Sequence, residues 1–119
     1  MTSSRQPRRG EIWRANTGRK RHAVVILSLD ARNLSDRSDS VLIVPFGSFG
    51  HPGPTVLRME PGETGLPESS FLKAHFISVV QKSDLLIEAL PRRLSNAQMR
   101  SIVLAVNRAI DPGAPFDEK

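Results

Sequence analysis

The chain has no cysteine, no tyrosine, one tryptophan and five phenylalanines among its 119 residues. The missing cysteine excludes a disulfide framework and a thiolate metal site, and it fits a reducing compartment. Six aromatic rings are little material for a platform on which nucleic-acid bases stack, and Trp13 reads as a packing residue. No apolar run exceeds six residues, far short of a membrane span. The opening segment MTSSRQPRRG carries no apolar stretch of the kind that directs secretion. No GxxxxGK[ST] loop is present, nor a GxGxxG opening a helix. His22, His51 and His75 are not spaced as ligands on one element. A soluble, cytoplasmic protein with no metal and no other cofactor is expected.

What is present is positive charge, and it is placed unevenly. Residues 1–22 hold seven Lys or Arg against one acid, a net +6. The other 97 residues hold ten basic and eleven acidic side chains, a net −1. Clustered cations suit a polyanion, because they release counterions from phosphates on binding. For Arg5, Arg8 and Arg9 a solubilising basic tail explains the charge as well. For Arg19, Lys20 and Arg21, set at the start of an apolar run, a solvated loop and a phosphate site both remain open.

A chain of this length has room for one core. EIWRAN alternates, with Ile12 on one face and Glu11 and Trp13 on the other, and reads as a first strand. TGRKR is a short loop with a Gly turn, and HAVVILSL is a buried strand. DARNLSDRSDS is a long connection of turn formers. SVLIVPFGS is a third strand in which Pro45 predicts an edge or a bulge. TVLRME follows as a strand, PGETGLP as a hairpin turn, and SSFLKAHFISVV as one bent strand or two short ones. After the QKSDL turn, IEALPRRL is a last strand interrupted at Pro91. Ser95 with Gln98 forms a capping-box pattern. Met99, Ile102, Val103, Val106 and Ile110 then share one helical face up to Asp111-Pro112-Gly113. The expectation is a mostly β chain with a C-terminal helix, a small antiparallel barrel-like sheet. Residues 1–8 are expected as a basic flexible N-terminus, 9–111 as the single domain and 112–119 as a mobile tail.

RRGEIW, the basic loop running into RHAVVILS, then VLIVPFGS, GETGLPESS and a capped C-terminal helix follow one another in an order that resembles the MazF/PemK family of toxins. The resemblance runs from about Arg9 to about Ile110. It implies an SH3-like, CcdB-type barrel and a homodimeric, ribosome-independent endoribonuclease, one half of a toxin–antitoxin system. The partners it implies are single-stranded RNA and a cognate antitoxin with an acidic, partly disordered segment.

The resemblance also assigns residues. Its invariant arginine, immediately before the second strand, is Arg21 here. A guanidinium at the rim of a rigid strand presents a planar fork to a phosphate with little entropy to lose. Arg14, Arg19, Lys20 and Gly47 are the implied RNA-binding positions, their backbone contacts carrying no sequence information. The family's threonine, two positions after the proline of the third strand, is replaced by Gly47, with a hydroxyl one step later at Ser48. Adjacent strand residues face opposite sides, so Ser48 takes that role only if the strand end re-aims it. No acid lies between Trp13 and Arg21, so the general base is unassigned. His75 is a candidate because its unperturbed pKa suits proton transfer near neutrality, and His22, beside Arg21 but on the opposite face, ranks below it. The implied reaction is metal-independent attack of the RNA 2′-hydroxyl on its own 3′-phosphate. It is sequence-specific and yields a 2′,3′-cyclic phosphate and a 5′-hydroxyl. Two alternatives stand beside it: a CcdB-type toxin that binds gyrase and cuts nothing, and a catalytically degenerate RNA-binding member.

Overall fold

A computed structural model describes residues 6–17, 20–111 and 113, the side chains of 87–91 apart. Seven strands and three helical segments follow one another. They are β1 (Glu11–Thr17), β2 (Lys20–Ile26), α1 (Asp30–Asn33), β3 (Ser40–Gly47), β4 (Val56–Met59), α2 (Pro61–Thr64), β5 (Ser70–Lys73), β6 (Ser78–Gln81), β7 (Leu85–Arg93) and α3 (Asn96–Ile110). Short 3-10 turns at Ala74–Phe76 and Lys82–Asp84 flank β6.

Every strand pairing is antiparallel, in the order β4-β5-β3-β2-β1-β7, with β6 added to the first half of β3. The two-residue side-chain period sorts the strands onto two faces. Ile12, Val25, Val44, Phe46 and Leu72 turn to one face, where Met99, Ile102, Ala105 and Val106 of α3 cover them. Trp13, Ala15, Val24, Ile26, Val41 and Ile43 turn to the other, with Val80 of β6 and Leu85 of β7. β6 and β7 lie on opposite flanks yet share that cluster, so the sheet curls. The curl does not close: among the described residues no ladder joins β4 to β7. The mostly antiparallel, barrel-like sheet with a C-terminal helix expected from the sequence is thus present, as an open, curled sheet with the helix packed on one face.

The terminal helix forms where its cap predicts. The Ser95 hydroxyl accepts the Gln98 N–H at 3.1 Å, and the Gln98 side chain accepts the Ser95 N–H at 2.8 Å. Ile102 is completely buried, a burial that contributes about 1.5–3 kcal/mol. Ile110, expected on the same face, is exposed at the helix end. Trp13 is a packing residue, and its Nε1 donates to the buried Glu11 carboxylate at 3.1 Å.

The connections hold more structure than turn formers alone suggest. The segment after β2 contains α1, and the stretch read as a hairpin turn is α2, whose Gly65 cap is left-handed at φ 79°. SSFLKAHFISVV is two short strands separated by a 3-10 turn. β7 is not interrupted at Pro91, and its pairing with β1 absorbs two register shifts. Of the segment expected to be flexible, residues 1–5 lie outside the described residues. Pro7 is completely buried, and the Arg8 N–H donates to Glu11 at 2.8 Å. The expected tail lies outside the described residues except for Gly113. No helix is long and apolar enough to cross a membrane among the described residues.

Candidate functional site

β1 and β2 pair along their whole length, out to Thr17 opposite Lys20. β2 and β3 pair only from Ile26–Ile43 to Val24–Pro45. Proline has no N–H to give to a ladder, and the β2–β3 pairing ends at this residue. Beyond it, Phe46 and Gly47 pair with β5 instead, opposite Leu72 and Phe71. The basic end of the first hairpin thus parts from the end of β3, and a gap opens between them.

Two clefts occupy that gap, with His22, Phe46 and Gly47 lining both. The first, about 240 Å³, is lined by Arg14 of β1, Arg21 of β2, Ser48 after β3, and Glu68, Ser69 and Ser70. Arg14 and Arg21 share a face because their strand partners, Ala23 and Asn16, are two-residue steps apart on it. The second, about 380 Å³, is lined by Thr17, His22, Pro45, Lys73, Phe76 and Ser78. Phe46 and its partner Leu72 are buried in the helix-side core. Gly47 and Lys73, one residue on in each strand, therefore turn to the second cleft.

The loop that brings Glu68 and Ser69 to the first cleft is braced from below. Glu60 and Glu63 form a reciprocal cap on α2. Glu60 also accepts the Ser69 hydroxyl at 2.7 Å and the Arg58 guanidinium at 2.9 Å. The Ser69 hydroxyl, with Arg58 beside it, holds the Glu60 carboxyl below the ordinary glutamate value despite some desolvation. The Leu66 N–H donates to Thr64 Oγ1 at 3.0 Å, and Leu66 itself is buried. A wall of the cleft is thus fixed to the core.

Of the residues singled out in the sequence, Arg14, Arg21, Gly47 and Ser48 come together in the first cleft. Lys20 is exposed at the start of β2, and Arg19 lies outside the described residues. His75 is not brought to either cleft. It lies in the 3-10 turn after β5, where Nδ1 is hydrogen-bonded to Thr55 Oγ1 at 2.9 Å and the ring packs on Phe76 at 4.4 Å. Glu68 and Lys73 stand in the clefts, although sequence reasoning gave them no role, and His22, ranked below His75 as a base, lines both. Glu68 sits inside the GETGLPESS stretch and was legible as a nearby acid; Lys73 gave no signal beyond strand alternation. Among the described residues no three His, Asp or Glu side chains gather as metal ligands.

An open antiparallel sheet with α3 packed on one face thus carries arginines, hydroxyls and a carboxylate around one cleft, and guanidinium groups so placed suit an anionic ligand. The family described as PemK-like, MazF-like toxin of type II toxin-antitoxin systems matches residues 8–110. This chain belongs to that family.

Solved structures agree with the assignment. An endoribonuclease in complex with its cognate antitoxin, from a mycobacterial species, is 26% identical, covering 93% of this chain and 99% of that one at a TM-score of 0.74. A mycobacterial endoribonuclease is 25% identical, covering 95% and 97% at a TM-score of 0.73. The Mycobacterium tuberculosis toxin MazF-mt6, 19% identical over 85% and 96%, shares the fold at a TM-score of 0.74. None of the curated proteins compared with the chain matches it.

Proposed function

We propose that this toxin is an endoribonuclease acting on single-stranded RNA in the cytoplasm. It cleaves without a metal ion, by attack of a 2′-hydroxyl on the adjacent phosphate. The observation that carries this reading is the meeting of Arg21, Ser48 and Glu68 in one cleft. Such a reaction takes no nucleophile from the protein; it needs in-line positioning, a proton acceptor and charge stabilisation on the phosphate.

Glu68 accepts the 2′-hydroxyl proton as the 2′-oxygen bonds to phosphorus and the bond to the 5′-oxygen breaks. The departing oxygen takes its proton from solvent. Arg21 neutralises the non-bridging oxygens, and Ser48 donates to one of them. The products are a 2′,3′-cyclic phosphate and a free 5′-hydroxyl. Glu68 takes the role of base in preference to His75, which is turned away and bonded to Thr55.

Support for RNA as substrate comes from the mycobacterial endoribonucleases that share this fold and from the excess charge of residues 1–22. The working form is a homodimer with both copies of Arg21 in a joint groove, since one small domain cannot enclose a strand of RNA. The antitoxin places an acidic, partly disordered segment against the same cations and folds on binding. The test is incubation of the purified protein with single-stranded RNA in EDTA. Discrete fragments ending in a cyclic phosphate support the reading, and intact RNA overturns it. DNA of the same sequence should bind and survive, because it lacks the attacking hydroxyl.

A further inference from the structure

The bare Cα of Gly47 is covered by a cation. A Cβ placed there would stand 3.1 Å from Lys73 Cε and 3.2 Å from Lys73 Nζ. Both distances are tighter than ordinary van der Waals contact, so a side chain at position 47 requires the end of Lys73 to give way from its present seat by at least a few tenths of an ångström. The strand register explains the encounter. Gly47 pairs with Phe71, and Lys73 is the diagonal neighbour two residues on, on the same face.

Two further observations give this arrangement a use. Lys73 lines the second cleft with His22 and Gly47, and Gly47 lines the first cleft with Arg21 and Ser48. The ammonium therefore stands at the junction of the two clefts. Among the described residues it also has no carboxylate partner and donates no hydrogen bond. A half-buried lysine laid along a strand has lost much of its freedom already, and its charge is unspent.

We infer that Lys73 is a phosphate-binding residue of this cleft, and that Gly47, by carrying no side chain, leaves its ammonium undisturbed in this seat. The inference rests on the reading of the site as an RNA cleft. It adds a second anchoring point, across the gap from Arg21, for the phosphate next to the one that is cut. Lysine suits that task as a compact point charge, whereas the bidentate work falls to arginine.

The experiment measures binding of a 2′-O-methyl single-stranded RNA, which cannot be cut, across a salt series. The proteins are the full-length chain and its Lys73→Met, Lys73→Arg, Gly47→Thr and doubly substituted Gly47→Thr/Lys73→Met variants. Losing one phosphate contact on a single strand should lower the slope of log K against log salt by about 0.7. Lys73→Met should show that loss and Lys73→Arg should not. Gly47→Thr should show it as well, because it displaces the ammonium, and the double variant should lose no more than either single one. A wild-type slope in Lys73→Met or in Gly47→Thr, at an unchanged melting temperature, overturns the inference. The same holds if the two losses add. Absence of any binding overturns this inference and the RNA reading together. Wild-type protein that binds with a Lys73-dependent slope but leaves 2′-hydroxyl RNA intact in EDTA overturns the nuclease reading alone.

Discussion

Val24 of β2 faces Pro45 of β3 across the last rung that joins these strands, and the cleft begins where that rung ends. Past Pro45, β3 pairs with β5 instead. The apolar run Ala23–Leu27 and the cations before it are then one device. The buried end of β2 holds the strand, and the other end, paired with β1 but not with β3, presents Arg21 at the mouth of a gap.

Glu68→Gln should slow RNA cleavage by about 10²–10⁴, the usual contribution of a positioned general base. The side chain is exposed, so the melting temperature should not change, and affinity for uncleavable RNA should hold or rise as a negative charge leaves the cleft. Single-turnover rates with the matching binding curve check this. If His75→Ala slows cleavage that far and Glu68→Gln does not, the base is misassigned.

Asp30 ties the N-terminal segment to the sheet and sets a pH response. Its carboxylate accepts the Arg9 N–H at 2.7 Å and Asn33 Nδ2 at 3.0 Å, with Arg93 at 3.8 Å. Desolvation pushes its pKa up, but these three partners together bring it below the ordinary aspartate value. A depressed carboxyl stabilises the fold above the unfolded pKa, about 3.9, and that contribution is lost as the pH falls through the folded value. Asp30→Asn should therefore cost on the order of 1 kcal/mol at neutral pH, with the gap from wild type narrowing in acid. Urea titrations at pH 7 and below pH 4 measure it, and a gap that widens in acid contradicts the assignment.

Much of this fold was legible because its signals are local. The alternation in EIWRAN, the apolar run before Leu27 and the Ser95–Gln98 cap each declare their element within a few residues. The curl of the sheet and its open edges were not, since they depend on which strand β3 chooses at each point along its length. The site divides the same way. Arg21 stands out by its place at the start of a strand. Glu68 and Lys73 arrive from loops and registers fixed over 20 to 50 residues of separation. His75 looked suited to proton transfer by chemistry alone, but a 3-10 turn directs it to Thr55.

Lys20→Ala should weaken RNA binding modestly and lower the salt slope by about 0.7, as for one lost backbone contact on a single strand. Lys20 is exposed and paired only with Thr17 in the ladder, so the cleavage rate at saturating protein should stay within a few-fold of wild type. A loss of rate as deep as that from removing Arg21 would mean the two cations act as one unit.

The most direct test of the account is the single-turnover cleavage rate of Arg21→Ala in EDTA. Removing one preorganised donor at the reacting phosphate costs on the order of 10²–10³ in rate. Arg21 is exposed on a strand whose buried end holds the core, so the melting temperature should not move. Arg21→Lys should recover little of the rate, because a point charge cannot reproduce a planar fork. The account predicts that deep loss at unchanged stability. Full wild-type cleavage by Arg21→Ala would contradict it.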